Sequence, residues 1–232
     1  MKVVIFCGGL GSRLEQETRK VPKPMVKVGR YPILYHIINI YRKYGYNDFI
    51  LALGYKKNII VKYFKKKKIN INFVDTGRLT QTGGRLLKLK KLLLKEKNFF
   101  CTYGDGVSNI NLKKLLKYHQ VNKKIVTITA VRPPSRFGEI KIGKNNTVNF
   151  KEKPQVSEGW INGGFFCINT KIFSYLKKNS ILEKDTFEKL SKKKNISAFK
   201  HNGFWQCMDT IREKNILNNL LKKNRGKAPW IN

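Results

Sequence analysis

A short apolar run, residues 2–7, stops at Gly8 and Gly9, passes Leu10 and Gly11, and is followed at once by Ser12 and Arg13. Lys23 comes next among the cations of interest, between Pro22 and Pro24. A strand that ends in glycines offers backbone N–H groups with no Cβ in the way, which suits an approaching phosphate. The bland alternative is an ordinary tight turn. Arg13, and Lys23 held in a proline-stiffened segment, favour the anion. The spacing is not G-x-x-x-x-G-K-[ST], which argues against a P-loop ATPase. It is not G-x-G-x-x-G with an acidic residue after the second strand, which disfavours hydride transfer.

Carboxylates could complete such a site. Asp105, in "YGDG", follows a buried apolar run and is flanked by Gly104 and Gly106. There it could hold a hard divalent cation beside phosphates, or simply sit in a glycine turn; spacing leaves both open. Asp209, in "FWQCMDTIREK", is the second candidate and also reads as the N-cap of a final helix with Glu213 in its first turn. Glu152 and Lys153, in "NFKEKP", pair an acceptor with a cation, as a sugar phosphate requires or as an exposed charge pair shows. "GWINGGFF" adds an aromatic, the amide of Asn162 and two glycines. His36, His119 and His201 have no triad or metal spacing and read as packing or capping residues. The four cysteines, Cys7, Cys101, Cys167 and Cys207, form no C-x-x-C pair. They read as small apolar residues of a protein in a reducing compartment.

The elements that must position these residues alternate. Apolar runs at 2–7, 48–54, 71–75, 98–103 and 124–131 read as strands. Helical periodicity lies between them, clearest in "PILYHIINIYRKYG", where Ile33, Leu34, Ile37, Ile38 and Tyr41 share one face between Pro32 and Gly45. This rhythm predicts βαβ units and a largely parallel sheet with helices on both faces. Ligands then bind beyond the carboxyl ends of the strands, where "GGLGSR", "DTGRLTQTGG", "YGDG" and "RPPSRFG" all fall. After Pro133-Pro134 the strands come with less helix between them, which predicts a small antiparallel elaboration. A helix at 183–193, a strand at 196–201 and a last helix at 209–223 follow. The organisation expected is one domain over 1–232, with 1–132 and 133–232 as its two parts.

The 232 residues are 41% hydrophobic and 12% aromatic, which suits a folded core without disulfides. No run is long enough for a membrane span or a signal peptide's apolar segment, so a cytoplasmic, membrane-free protein is expected. The net charge is +35. Such a field attracts polyanions. Its lysines are spread along the chain, so solvated faces are the better reading and no nucleic-acid partner is expected.

Taken together, the ordered motifs resemble the sugar nucleotidyltransferases, nearly end to end. The family's G-G-x-G-[ST]-R-L is matched by Gly8, Gly9, Gly11, Ser12, Arg13 and Leu14, and its K-P-M by Lys23, Pro24 and Met25. "DTG…TGGRL", "YGDGV", "RFG", "EKP", "GWINGGFF", "GFWQCMDT" and "APW" look like the branch that transfers a cytidylyl group to glucose 1-phosphate. The thymidylyl branch has Pro where this chain has Gln16.

The resemblance implies a three-layer Rossmann-like α/β fold with a mixed, mainly parallel sheet. It implies CTP and glucose 1-phosphate as partners, Mg²⁺ as cofactor, a homo-oligomer, and a product that feeds surface polysaccharide. By position it assigns Gly8, Gly9, Leu10, Gly11, Ser12, Arg13, Lys23, Thr80, Arg85 and Gly104 to the nucleotide, with Arg13 and Lys23 catalytic. It assigns Asp105 and Asp209 to the metal, and Gly138, Glu152, Lys153 and Asn162 to the sugar phosphate. One departure stands out. The segment before residue 71 is little more than "KKKKIN", where family members carry a longer one associated with subunit contacts. A uridylyl- or thymidylyltransferase is the same-class alternative. A basic nucleic-acid-binding protein and a non-catalytic nucleotide sensor are the others.

Overall fold

The computed structural model describes residues 1–133, 139–142, 144, 147–151 and 159–231. In chain order the elements are β1 (Val3–Cys7), α1 (Glu15–Thr18), β2 (Lys27–Val28), β3 (Tyr31–Pro32) and α2 (Ile33–Arg42). Then come β4 (Asp48–Leu53), α3 (Lys57–Lys65), β5 (Asn70–Asp75), α4 (Thr82–Lys88), α5 (Lys90–Leu93), β6 (Asn98–Tyr103), β7 (Gly106–Ser108), α6 (Leu112–Asn122) and β8 (Val126–Val131). The remainder is β9 (Glu139–Ile142), β10 (Val148–Lys151), β11 (Ile161–Asn169), a π-helical turn Leu182–Phe187, α7 (Glu188–Lys192), β12 (Ile196–His201), β13 (Trp205–Cys207) and α8 (Ile211–Lys223).

The central sheet has seven strands in the order β12-β8-β11-β6-β1-β4-β5. All pairs are parallel except the two made by β11, which runs antiparallel to β6 and β8. The mainly parallel sheet expected from the βαβ rhythm is therefore present. The "GGFFCIN" strand is placed differently from expectation. It lies in the middle of the main sheet, because Phe165, Phe166, Cys167 and Ile168 are apolar on both faces and need cover on both. Small antiparallel pairs stand apart from the main sheet: β9 with β10, β7 with β13, and β2 with β3.

Alternation along the strands divides the core in two. Val3, Ile5, Cys7, Leu51, Phe100 and Phe165 pack with α2, α6, α8 and Trp230 on one face. Val4, Phe6, Ile50, Cys101 and Phe166 pack with α4, α5, the π turn and α7 on the other. Burying each of these large side chains contributes about 1.5–3 kcal/mol. Cys7, Cys101 and Cys167 are buried free thiols, as the scattered spacing predicts, and burial pushes all three above the usual thiol pKa. The amphipathic stretch 83–97 is broken at Leu89, where Leu89 N–H closes a tight turn on Leu86 O.

The histidines are structural. His36 bonds Val28 O, and His201 bonds Ser108 Oγ and Phe204 O. His119 sits between Thr127 Oγ1 at 2.8 Å and Asn98 Oδ1 at 3.3 Å, and burial pulls its pKa down to about 4 from an ordinary 6.5. Between those two values the unfolded chain binds a proton at His119 that the folded chain refuses, so folding is favoured less as pH falls from 6.5 toward 4. His36 and His201 are shifted in the same direction, by burial first. Urea midpoints are therefore expected to fall between pH 7.5 and pH 5, and His119→Gln should shrink that difference. An unchanged pH dependence in the variant would refute the assignment.

Candidate active site

The rim is built from the carboxyl ends of β1, β4, β5 and β6. After β1 the chain enters the glycine loop, where Gly11 adopts φ 70° and Leu14 N–H closes on Gly11 O at 3.0 Å. Thr18 Oγ1 donates to Gly11 O at 3.1 Å and fixes the loop from below. Gly9 faces open space, with no atom within 4 Å of the position a Cβ would take, as close approach of a ligand requires. Gly8 has a different reason. A Cβ there would stand 2.0 Å from Arg85 Nη1.

Arg85 is the central strut of this half. Its side chain rises from α4 and is only 4% exposed. Nη1 donates to Leu53 O at 3.0 Å and Thr76 Oγ1 at 2.6 Å; Nη2 donates to Gly8 O at 2.9 Å and Arg78 O at 3.2 Å. One guanidinium thus ties together the ends of β1, β4 and β5. Gly54 permits the approach, since a Cβ there would lie within 2.9 Å of Arg85 Nη1, Gly8 O and Gly77 O. Gly104 is likewise set by packing, 2.7 Å from Phe6 O and 2.9 Å from Pro24 Cγ at its Cβ position.

The charged centre lies beside the loop. Lys23 Nζ donates to Asp105 Oδ2 at 2.5 Å and to Asp209 Oδ1 in a shorter bond, and Arg13 Nη1 meets Asp209 Oδ2 at 2.9 Å. Burial disfavours the Lys23 ammonium, but Asp105 and Asp209 together outweigh it and hold the pKa above the ordinary lysine value. The sequence alone does not show how Asp209 arrives there. β7 and β13 pair antiparallel, and Met208 N–H bonds Asp105 O at 2.8 Å, so Asp105, just before β7, and Asp209, two residues beyond β13, are brought to the same place.

The reading of Asp209 as a helix cap is corrected. Thr210 caps α8 in a capping box with Glu213, whose Oε2 also accepts Asp209 N–H at 2.6 Å. The Asp209 carboxylate is left for the cations.

Two cavities meet at this centre. The smaller, about 300 Å³, is walled by the glycine loop, Lys23, Thr80, Thr82, Arg85 and Gly104. The larger, about 720 Å³, is walled by Asn162, Gly163, Gly164, Trp205, Asp209 and Arg212, among others. Arg13, Tyr103 and Asp105 border both. Of the residues predicted to form the site, Gly8, Gly9, Gly11, Ser12, Arg13, Lys23, Thr80, Arg85, Gly104, Asp105, Asp209 and Asn162 gather around these cavities. Leu10 is exposed at the loop tip, 46% accessible. Gly138, Glu152 and Lys153 lie outside the described residues.

Tyr103 and Trp205 were not anticipated as wall residues, although both fall inside quoted motifs. Trp205 Nε1 donates to Gly163 O at 2.7 Å and sets the floor of the larger cavity.

The donor set fits a hard divalent cation. Asp105 and Asp209 offer carboxylate oxygens that already converge on one ammonium. The neighbouring cluster of Cys207, Asp209 and Glu213 fits less well. Glu213 is engaged by the capping box, and burial, with Glu213, Asp209 and Asp105 adding to it, pushes the Cys207 thiol up to about 12.

The sequence profile of the nucleotidyl transferase family matches residues 2–211. Over 99% of its length the chain is 38% identical to the glucose-1-phosphate cytidylyltransferase of Salmonella typhimurium, covering 98% of that protein. It is 34% identical to the mannose-1-phosphate guanyltransferase of Saccharomyces cerevisiae, over 94% of this chain and 63% of that protein. Among solved structures, HddC of Yersinia pseudotuberculosis shares the fold with a TM-score of 0.75 at 24% identity, over 95% of this chain and 99% of HddC.

Proposed function

The chain belongs to the nucleotidyl transferase family, and from that premise we propose that it transfers a cytidylyl group from CTP to α-D-glucose 1-phosphate, releasing pyrophosphate and forming CDP-glucose. The observation that carries this reading is the pair of cavities meeting at Arg13, Tyr103 and Asp105, in a chain so similar to a cytidylyltransferase along its whole length.

The smaller cavity takes the triphosphate, with Gly9 and its neighbours approaching the phosphates. The larger takes the sugar phosphate, with Asn162 among its ligands and Gly138, Glu152 and Lys153 assigned there by resemblance. The phosphate's second pKa is about 6, so its attacking oxygen is already ionised at neutral pH and needs no general base. This agrees with the structural engagement of all three histidines. The oxygen forms a bond to the α-phosphorus as the bond to the β-phosphate bridging oxygen breaks, and pyrophosphate leaves with that electron pair. Arg13 and Lys23 neutralise the departing charge, and the two cavities hold the anions in line across the shared wall. Asp105 and Asp209 would hold Mg²⁺, which when bound neutralises phosphate charge. Among the described residues no helix is long and apolar enough to cross a membrane.

The test is pyrophosphate release from CTP, UTP, dTTP and GTP at equal glucose 1-phosphate, with Mg²⁺ or with chelator. CTP is expected to turn over fastest, and chelation to abolish release. Faster turnover with UTP or dTTP would replace the cytidylyl reading. Turnover of GTP alone among the four would side with the yeast relative.

A further inference from the structure

Tyr103, the last residue of β6, is held rigidly. Its ring meets Phe166 edge-on at 5.5 Å and Phe6 at 6.2 Å. The register of β11 shifts between Asn162 and Phe166, and Gly164 there adopts φ 76°. A Cβ on Gly164 would stand 2.6 Å from the Tyr103 ring, so the glycine makes room for it.

The phenol is one link of a hydrogen-bond chain. Its O–H donates to Glu183 Oε1 in a short bond. The other carboxylate oxygen, Oε2, accepts from Thr82 Oγ1 at 2.7 Å, and Thr82 accepts Leu182 N–H at 2.8 Å. On the far side the Asn162 amide donates to the phenolic oxygen at 3.5 Å, while Asn162 Oδ1 accepts Gly164 N–H at 2.9 Å. Glu183 belongs to the π-helical turn, a geometry often found at functional sites. It is not among the residues walling either cavity.

The order of donors is forced. An ionised carboxylate only accepts, so the Tyr103 hydroxyl must donate its hydrogen bond to Glu183. The phenolic oxygen then faces Asn162 as an acceptor, and the amide must turn its NH₂ toward it and its oxygen toward Gly164. One N–H of Asn162 is left to address the larger cavity. With a neutral amide at 183 the phenol can accept instead of donate, and the Asn162 NH₂ then loses its acceptor, leaving Gly164 N–H to hold the amide.

We propose that Glu183 is a positioning residue for the sugar-phosphate half, holding in place through Tyr103 the NH₂ end of the Asn162 amide that the substrate meets, with Thr82 holding Glu183 in place. This rests on the reading of the larger cavity as the sugar-phosphate site.

The experiment compares Glu183→Gln, Tyr103→Phe and Asn162→Ala with the wild type, and combines the first with the last. Glu183→Gln is expected to raise KM for glucose 1-phosphate about tenfold, the size of one hydrogen bond to a charged group, and to leave KM for CTP unchanged. It should also narrow the preference for glucose over galactose 1-phosphate. In the Asn162→Ala background the same change should add no further loss, whereas independent effects would multiply. Tyr103→Phe should reproduce the KM shift if Glu183→Gln does not fold. An unchanged sugar-phosphate KM, or losses that multiply, overturns the proposal.

A second readout needs no turnover. The side-chain amide signals of Asn162 in a ¹⁵N-labelled sample, identified by their loss in Asn162→Ala, should move in Glu183→Gln or in Tyr103→Phe. Signals that stay put overturn the positioning role. If the wild type turns over no sugar phosphate, the functional reading fails while the amide signals still decide this one.

Discussion

Replacing Lys23 by alanine is expected to lower turnover by roughly 10²–10³, the usual cost of removing one charge-stabilising donor from a transition state. The fold should survive, because the Lys23 ammonium bonds carboxylates at the rim, Asp105 and Asp209. Its ammonium touches both Asp105 and Asp209, in the smaller cavity beside the wall that the two cavities share. Arg13 meets Asp209 at the other carboxylate oxygen, so it does not stand in for the ammonium between the two acids.

The same contact has a second consequence. The ammonium stands where a divalent cation would meet the carboxylates, so the two compete. Lys23→Ala should therefore bind Mn²⁺ more tightly than the wild type in the absence of nucleotide, measured by paramagnetic resonance or calorimetry. Wild-type turnover in the variant would remove Lys23 from the mechanism. Unaltered Mn²⁺ affinity would separate Lys23 from the metal ligands.

Arg85→Met is expected to cost about 3 kcal/mol of stability, a Tm loss of roughly 6–12 °C for a chain of this size. The side chain is buried, and its removal takes a donor from Gly8 O, Leu53 O, Arg78 O and Thr76 Oγ1 at once, although Leu53 O keeps its bonds from Thr76. Arg85→Lys should recover only part of the loss, since one ammonium cannot span acceptors on three strand ends. Calorimetric melts decide this, with KM for CTP expected to rise in both variants because the glycine loop loses its anchor. A lysine variant as stable as the wild type would show that charge, not the fork, is what the rim needs.

Much of the fold was legible. The apolar runs of β1, β4, β6 and β8 alternate with helical periodicity, and that rhythm leaves a mostly parallel sheet as the economical arrangement. The rim followed from the same argument, because strand ends converge on one edge. The place of β11 was not legible. A short strand apolar on both faces reads alike at an edge or in the middle until its neighbours are known. The capping of α8 was misread by one residue, since Asp209 and Thr210 are both good caps and only the reach of Glu213 separates them.

The sequence by itself determined the chemistry available: a glycine loop beyond a strand, two cations, two carboxylates and an amide. Those assignments rest on local backbone and residue type, which spacing carries. Tertiary structure decided what each glycine and cation is for. Gly8 is small because Arg85 fills the space, while Gly9 is small with nothing before it. Arg85 reaches its acceptors through packing of α4 against three strand ends, Asp209 joins Asp105 through the β7–β13 pair, and Glu183 governs Asn162 through a phenol. These contacts join residues far apart in the chain, and no local period or motif encodes a distance across the sheet.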